Sequence, residues 1–324
     1  MDDKGRKRAG KEKMSGKVAG DEWEGAAIIR GKRDMPWAVF VHGLGVDKRI
    51  WAAPEDARIL GGLFPLRTLL RTGGLQGPGA HQKPTGLRSL YHDLALAGFT
   101  TVAFSFKRPA GRIEEALAGL EALLDRVREE KPAGQKVVLV GHSRGALVIS
   151  KYLERPDPLI KGFVSIAGPH KGTTLARWAV IAAPAAMAVK ALRRGEPESR
   201  IGVAVNRMLA FIQSPAVAEL LPGSAFFAGL RPPRTRCPSV SAGGTDPRFF
   251  NLLGIGFPEA LEKIAPGWAV PDEIKDGLGD GLVSAESAVC PHAREHLNFH
   301  LNHAETVFDR EARAALLKRI TGFF

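Results

Sequence analysis

Two cysteines in 324 residues, Cys237 and Cys290, are too few for a disulfide scaffold, and two free thiols are the expectation. Long apolar runs are missing as well. None reaches the ~18 residues that a bilayer-spanning helix requires, and the longest candidate, residues 178–189, is interrupted by Pro184. The first apolar run, residues 26–29, is too short for the core of a secretory signal, so a cytoplasmic chain is expected. Zinc-finger spacings and aromatic residues interleaved with basic ones are also absent. Nothing therefore supports a nucleic-acid partner, despite a net charge of +12.

What is present is an ordinary globular composition, 44% hydrophobic and 25% charged, in a chain long enough for one large domain with an insertion. The basic excess begins early, at Lys4, Arg6, Lys7, Arg8, Lys11, Lys13 and Lys17. Residues 1–22 read as a disordered basic leader, with anionic membrane as its one plausible contact, and residues 23–324 as the folded domain.

The most informative stretch is Val137-Val-Leu-Val-Gly141-His-Ser143-Arg-Gly145. Four aliphatic residues read as a strand buried on both faces, and the residues after Ser143 carry Leu147, Val148 and Leu153 at helical spacing. A G-x-S-x-G turn between such a strand and helix is a nucleophile elbow. Its serine is held in a strained conformation above the sheet, and the helix N-terminus favours developing negative charge. Some hundred residues earlier, the run at 37–41 ends in His42-Gly43-Leu44-Gly45. A loop of this kind supplies one oxyanion-hole amide, here that of Leu44; the second would be the amide of Arg144.

The rest of the chain alternates helix and strand. Helices are expected over 87–97 and from Ile113 to near residue 130, strands over 99–106, 160–166 and 239–246. That rhythm implies right-handed crossovers and a parallel sheet, hence an α/β fold. Residues 54–85 and 247–275 read as irregular. Between about 174 and 232 the rhythm stops, and helices over 178–192 and 201–213 read as an inserted helical cap, or lid, over an acyl pocket. A final amphipathic helix would bury Phe308, Ala312, Leu316 and Ile320.

A serine nucleophile needs a base, and the base needs a carboxylate that fixes its tautomer. His292, His296, His300 and His303 lie late enough in the chain, and His303, at the end of the last strand, is preferred. Asp280 in Gly-Asp-Gly-Leu-Val is the first choice of acid and Asp246 the second, with Asp272 and Asp276 reading as solvated loop charges.

His42-Gly-Leu-Gly-Val-Asp47, Gly141-His-Ser-Arg-Gly145, Ala167-Gly-Pro-His-Lys-Gly-Thr173, Asp280-Gly-Leu-Val283 and Asn302-His303-Ala-Glu-Thr together resemble the bacterial true lipases (triacylglycerol lipases) of the α/β-hydrolase fold. The resemblance implies Ser143 as nucleophile, Asp280 as acid, His303 as base, and Leu44 and Arg144 as oxyanion donors. It implies acyl-ester or lipid substrates and no catalytic metal or redox cofactor. Many of those lipases hold a structural calcium through an Asp two residues past the catalytic His; Glu305 stands there in this chain. Some carry a disulfide near the acid, a place that Cys237 and Cys290 bracket. An acyltransferase, a thioesterase or a non-catalytic binding protein on the same fold are the rival expectations.

Overall fold

The computed structural model describes residues 23, 25–59, 62, 64–70, 86–175, 206–207, 210–248, 251–252, 255–256 and 270–324. Its centre is a seven-stranded sheet of β1 (Ala26–Ile29), β2 (Trp37–Val41), β3 (Thr100–Phe104), β4 (Val137–His142), β5 (Ile160–Ile166), β6 (Ser239–Gly244) and β7 (Glu295–Phe299). The order across the sheet is β1-β3-β2-β4-β5-β6-β7; β1 runs antiparallel to β3 and every other pairing is parallel.

All five residues of β2 are buried, and their alternation divides the core in two. Val39 and Val41 face one apolar cluster with α3 (Ile113–Glu130) and α4 (Arg144–Tyr152). Ala38 and Phe40 face the other, with α2 (Leu90–Leu96) and α9 (Arg310–Thr321). The short α1 (Arg49–Ala52) lies on the second face, where Trp51 is packed against Phe40 with ring centroids 5.0 Å apart.

This arrangement positions the site. From β2 the chain crosses by α2 to β3 on one side, then returns by α3 to β4 on the other side. The strand order therefore reverses at β2, and a crevice forms at the carboxyl ends of β2 and β4, where ligands bind in open α/β sheets. Val41 and Gly141 are register partners there, so the loops beginning at His42 and Ser143 emerge side by side.

Several elements differ from the sequence expectation. Helix α2 starts at Leu90 because Ser89 caps it, its hydroxyl held 2.6 Å from the Trp51 carbonyl. Strand β3 ends at Phe104, and the Phe106 amide donates instead to His42 Nε2 at 3.2 Å. The stretches expected to be irregular contain two-residue strand pairs, Arg58–Ile59 with Phe64–Pro65 and Asn251–Leu252 with Ile255–Gly256. The final helix is two, α8 (Glu305–Phe308) and α9, because Asp309 caps the second through its Oδ1 on the Ala312 amide at 2.9 Å. Phe308, Ala312, Leu316 and Ile320 are all buried, as their spacing indicates.

The basic leader 1–22 and the expected helix over 178–192 lie outside the described residues. The described end of the expected cap forms α5 (Pro215–Glu219) and α6 (Ala225–Ala228). Val217, Leu220 and Phe226 pack into the same apolar cluster as α3 and α4. A further short helix, α7 (Ala285–Ala288), follows the acid-bearing loop. Among the described residues no helix is long and apolar enough to cross a membrane.

Candidate active site

The turn from β4 into α4 carries the strain expected of an elbow. Ser143 has φ 53 and ψ −128, outside the regions favoured by L-residues, at a cost of about 1–3 kcal/mol. Its amide donates to the Ile166 carbonyl at 2.8 Å and its carbonyl accepts from the Ala146 amide at 3.0 Å. The flanking glycines are required by contact. A Cβ on Gly141 would meet Ala146 backbone at 2.7 Å, and one on Gly145 would lie 2.4 Å from the Val41 carbonyl oxygen. Helix α4 can therefore sit directly on β2 and β4 only while both positions lack side chains.

The loop after β2 closes against this turn. A Cβ on Gly43 would stand 2.8 Å from the Ser143 Cβ, so residues 42–44 pass immediately beside the serine. His42 fixes that loop: its Nδ1 lies 2.8 Å from the Gly43 carbonyl and its Nε2 accepts from Phe106. Burial drives its pKa down to about 4, so the ring stays neutral with the proton on Nδ1. As a first-turn helical amide, Arg144 N–H has no partner within α4.

Among the candidate acids and bases, one pair meets. The Nδ1 of His303 lies 2.8 Å from Oδ2 of Asp280, with His303 4% and Asp280 0% exposed. A carboxylate only accepts, so Nδ1 carries the proton and Nε2 is left as an acceptor. The other Asp280 oxygen accepts from the amides of Leu282 and Val283 at 3.0 and 2.8 Å, and its carbonyl accepts from the His303 amide at 2.9 Å. The carboxylate is thus locked by three side-chain hydrogen bonds.

The histidine loop docks on the residue before the serine. His142 Nε2 lies 3.1 Å from the His303 carbonyl, and the two rings stand with centroids 4.7 Å apart. Burial, then the neighbouring His303, holds the His142 pKa well below the usual histidine range, so a neutral imidazole donates to that carbonyl.

The alternatives are engaged elsewhere. Asp246 is buried, but Arg248 grips both its oxygens, at 2.8 and 3.1 Å. His296 bonds Ser241 and Asn298, and His300 lies beside Asp246 and Arg248, away from Asp280. The His292 carbonyl accepts from Ser239 at the far end of β6. Asp272 and Asp276 are exposed loop charges.

Sequence reasoning singled out Ala167–Thr173 and Arg144 but not the contacts by which they brace these loops, and it missed Glu273, Ser287 and Glu219. Ala167 has φ 49, and the turn it opens carries Gly168-Pro-His-Lys-Gly-Thr173 onto the acid-bearing loop. The His170 amide donates to the Ser287 carbonyl, Ser287 Oγ donates to the Gly172 carbonyl, and Thr173 Oγ1 donates to the Leu282 carbonyl. Buried Glu273 accepts from the Thr174 amide at 2.6 Å. Arg144, 1% exposed, donates to the carbonyls of Pro109 and Gly111 and lies 3.7 Å from Glu219 of α5. Through Glu219, which also accepts from the Ile113 amide at 2.8 Å, the end of the inserted segment is tied to the elbow helix. No local pattern signals such partners, which lie tens of residues away in the chain.

The residues do not fit the calcium that the lipase resemblance raises. Glu305 is buried and accepts from the Asn302 amide, and it belongs to no cluster of metal-binding side chains among the described residues. The one such cluster, Asp246, Asp276 and His300, has an imidazole where calcium takes oxygen, and its buried carboxylate is already held by Arg248.

Comparison with known proteins agrees with this architecture. No curated protein sequence gives a significant match. The structure is similar to that of the mature form of the Bacillus licheniformis lipase BlEst2, with a TM-score of 0.56 and 15% identity over 91% of this chain and 97% of that one. The propeptide form of that lipase gives 0.54 at 15% identity, over 91% of this chain and 53% of that one. At such identity the likeness shows the fold. The match of a family model to residues 38–310 goes further, and by it the chain belongs to the alpha/beta hydrolase family.

Proposed function

We propose that the protein is a serine hydrolase of carboxylic esters, of the lipase or esterase kind. Family membership supports hydrolase activity. The observation that carries the finer reading is the buried His303–Asp280 hydrogen bond, docked through His142 onto a serine with positive φ. In this reading His303 Nε2 takes the proton of Ser143 as Oγ attacks the ester carbonyl. The amides of Leu44 and Arg144 receive the oxyanion, each worth about 3 kcal/mol to the transition state. Asp280 holds the tautomer and stabilises the imidazolium. The alcohol leaves with the proton from His303, and water, deprotonated by the same base, cleaves the acyl-enzyme. All of these groups belong to the chain, and the reaction they perform takes no cofactor.

The test is hydrolysis of p-nitrophenyl esters of rising acyl length by the wild-type protein and by Ser143→Ala. Loss of the nucleophile is expected to lower kcat by about 10⁴-fold or more. A preference for long chains would support a lipase, and one for short chains an esterase. A wild-type rate no higher than that of Ser143→Ala on every ester would refute the proposal.

A further inference from the structure

A cavity of about 300 Å³ lies on the α3/α4 side of the sheet. Ser150 of the elbow helix and Leu153, its C-cap, line it. At 1.5 Å rise per residue they lie about 10 and 15 Å down the axis from Ser143, so the cavity is well away from the serine. Leu153 and Phe163, both buried, give it an apolar patch beside the buried His170, Thr235 and Ser239. Three exposed arginines, Arg231, Arg236 and Arg294, line it as well.

The charge balance of this cavity is one-sided. No Asp or Glu lines it. None of the three arginine side chains has an acidic partner among the described residues. The adjacent carboxylates are already engaged: Glu154 holds Lys151 at 2.8 Å and Glu295 holds Arg319 at 2.5 Å. The two thiols in the wall, Cys237 and Cys290, bring no negative charge either, because burial pushes the first up to about 11 and raises the second. Three arginines without an acidic partner among the described residues gather around one concavity, and an anion seated there would offset their like charge. The size is at the lower end for small-molecule pockets.

We propose that this cavity is a binding site for a small amphipathic anion, a carboxylate or phosphate head on a short apolar body, separate from the crevice at Ser143. The arginines take the head in charge-assisted, bidentate hydrogen bonds, and Leu153 and Phe163 take the body. The inference does not depend on the esterase reading, because it uses none of the residues assigned to catalysis.

The experiment is calorimetric titration of the full chain with octanoate, octyl phosphate, inorganic phosphate and octanol. Either octyl anion should bind more tightly than inorganic phosphate or octanol, and which of the two binds better identifies the head group. Arg236→Ala and Arg294→Ala, both exposed positions, should each weaken octyl-anion binding about 10-fold or more. Octanoate should also slow alkylation of Cys237, a readout inside the cavity that needs no variant. Octanol binding as tightly as octanoate, unchanged affinity in both arginine variants, or no binding of either octyl anion would overturn the proposal. Alkylation of Cys237 indifferent to saturating octanoate would place any bound anion elsewhere, and would overturn it too.

Discussion

Asp280→Asn separates the chemistry of the site from its folding. The two side chains have the same shape, but the amide has one accepting and one donating end. Asp280 Oδ1 receives two backbone N–H groups, from Leu282 and Val283, and Oδ2 faces His303 Nδ1. With the amide oxygen left on the backbone pair, its NH₂ meets His303, and Nδ1 must become the acceptor. The proton then moves to Nε2, the atom that accepts from Ser143 in the proposed mechanism. With the amide reversed, the NH₂ confronts two backbone donors at about 3 Å, which leaves three buried groups unsatisfied at about 1–3 kcal/mol each. The first arrangement is the favoured one, and it yields a folded protein with the wrong tautomer. The expected loss in kcat is about 10⁴-fold, or about 5.4 kcal/mol in the barrier at 1.36 kcal/mol per decade. The KM for the same ester should stay within a few-fold. The assay is ester hydrolysis by Asp280→Asn beside Asp246→Asn, with thermal unfolding to show that both are folded. Activity in Asp280→Asn within tenfold of wild type, or an equal loss in Asp246→Asn, would refute the assignment of Asp280.

Three further perturbations follow from the same contacts. Burial lowers the pKa of His42 from 6.5 to about 4 and that of His170 to about 3, so the unfolded chain takes up these protons first as the pH falls. The stability tied to the neutral rings is complete above pH 6.5 and drains away towards pH 4 and 3. At pH 5 these two rings together account for a loss of about 4 kcal/mol relative to pH 7, to which the buried His142 adds, and urea unfolding that gives the same free energy at both values would contradict it. Gly145→Ala places a methyl group 2.4 Å from a backbone oxygen, with no flexible side chain to give way. It should destabilise the fold by about 2 kcal/mol or more and lower kcat, as thermal unfolding and the ester assay would show. Glu219→Ala removes the carboxylate facing Arg144 and leaves the Ile113 amide without its acceptor, at a cost of about 3 kcal/mol in denaturant unfolding. Glu219→Gln, which keeps an acceptor for that amide, should lose less.

Much of the architecture was legible locally. The Val137–Gly145 stretch read correctly as strand, turn and helix because an apolar run, a helical period and two glycines within a few residues left little else possible. The helix from Ile113 was bounded to within a residue by the spacing of its leucines. The two-residue strands were invisible, since no periodicity exists over so short a length. So was the break at Asp309, where one capping hydrogen bond interrupts an otherwise continuous amphipathic pattern.

The candidate site divides along the same line. The sequence by itself determined the strained serine, the loop at His42 and the short set of late acids and histidines, because each depends on neighbours along the chain. It ranked Asp280 above Asp246 but could not separate them physically: both are aspartates in turns and both prove to be buried. In the tertiary structure they differ by their partners: His303 stands against Asp280, and Arg248 holds Asp246. Only folding brought Arg144 to Glu219, the turn at Ala167 onto the acid-bearing loop, and three arginines around one cavity. Such contacts join residues far apart in the chain. Their partners are chosen by how helices and strands pack, which no local pattern of side chains encodes.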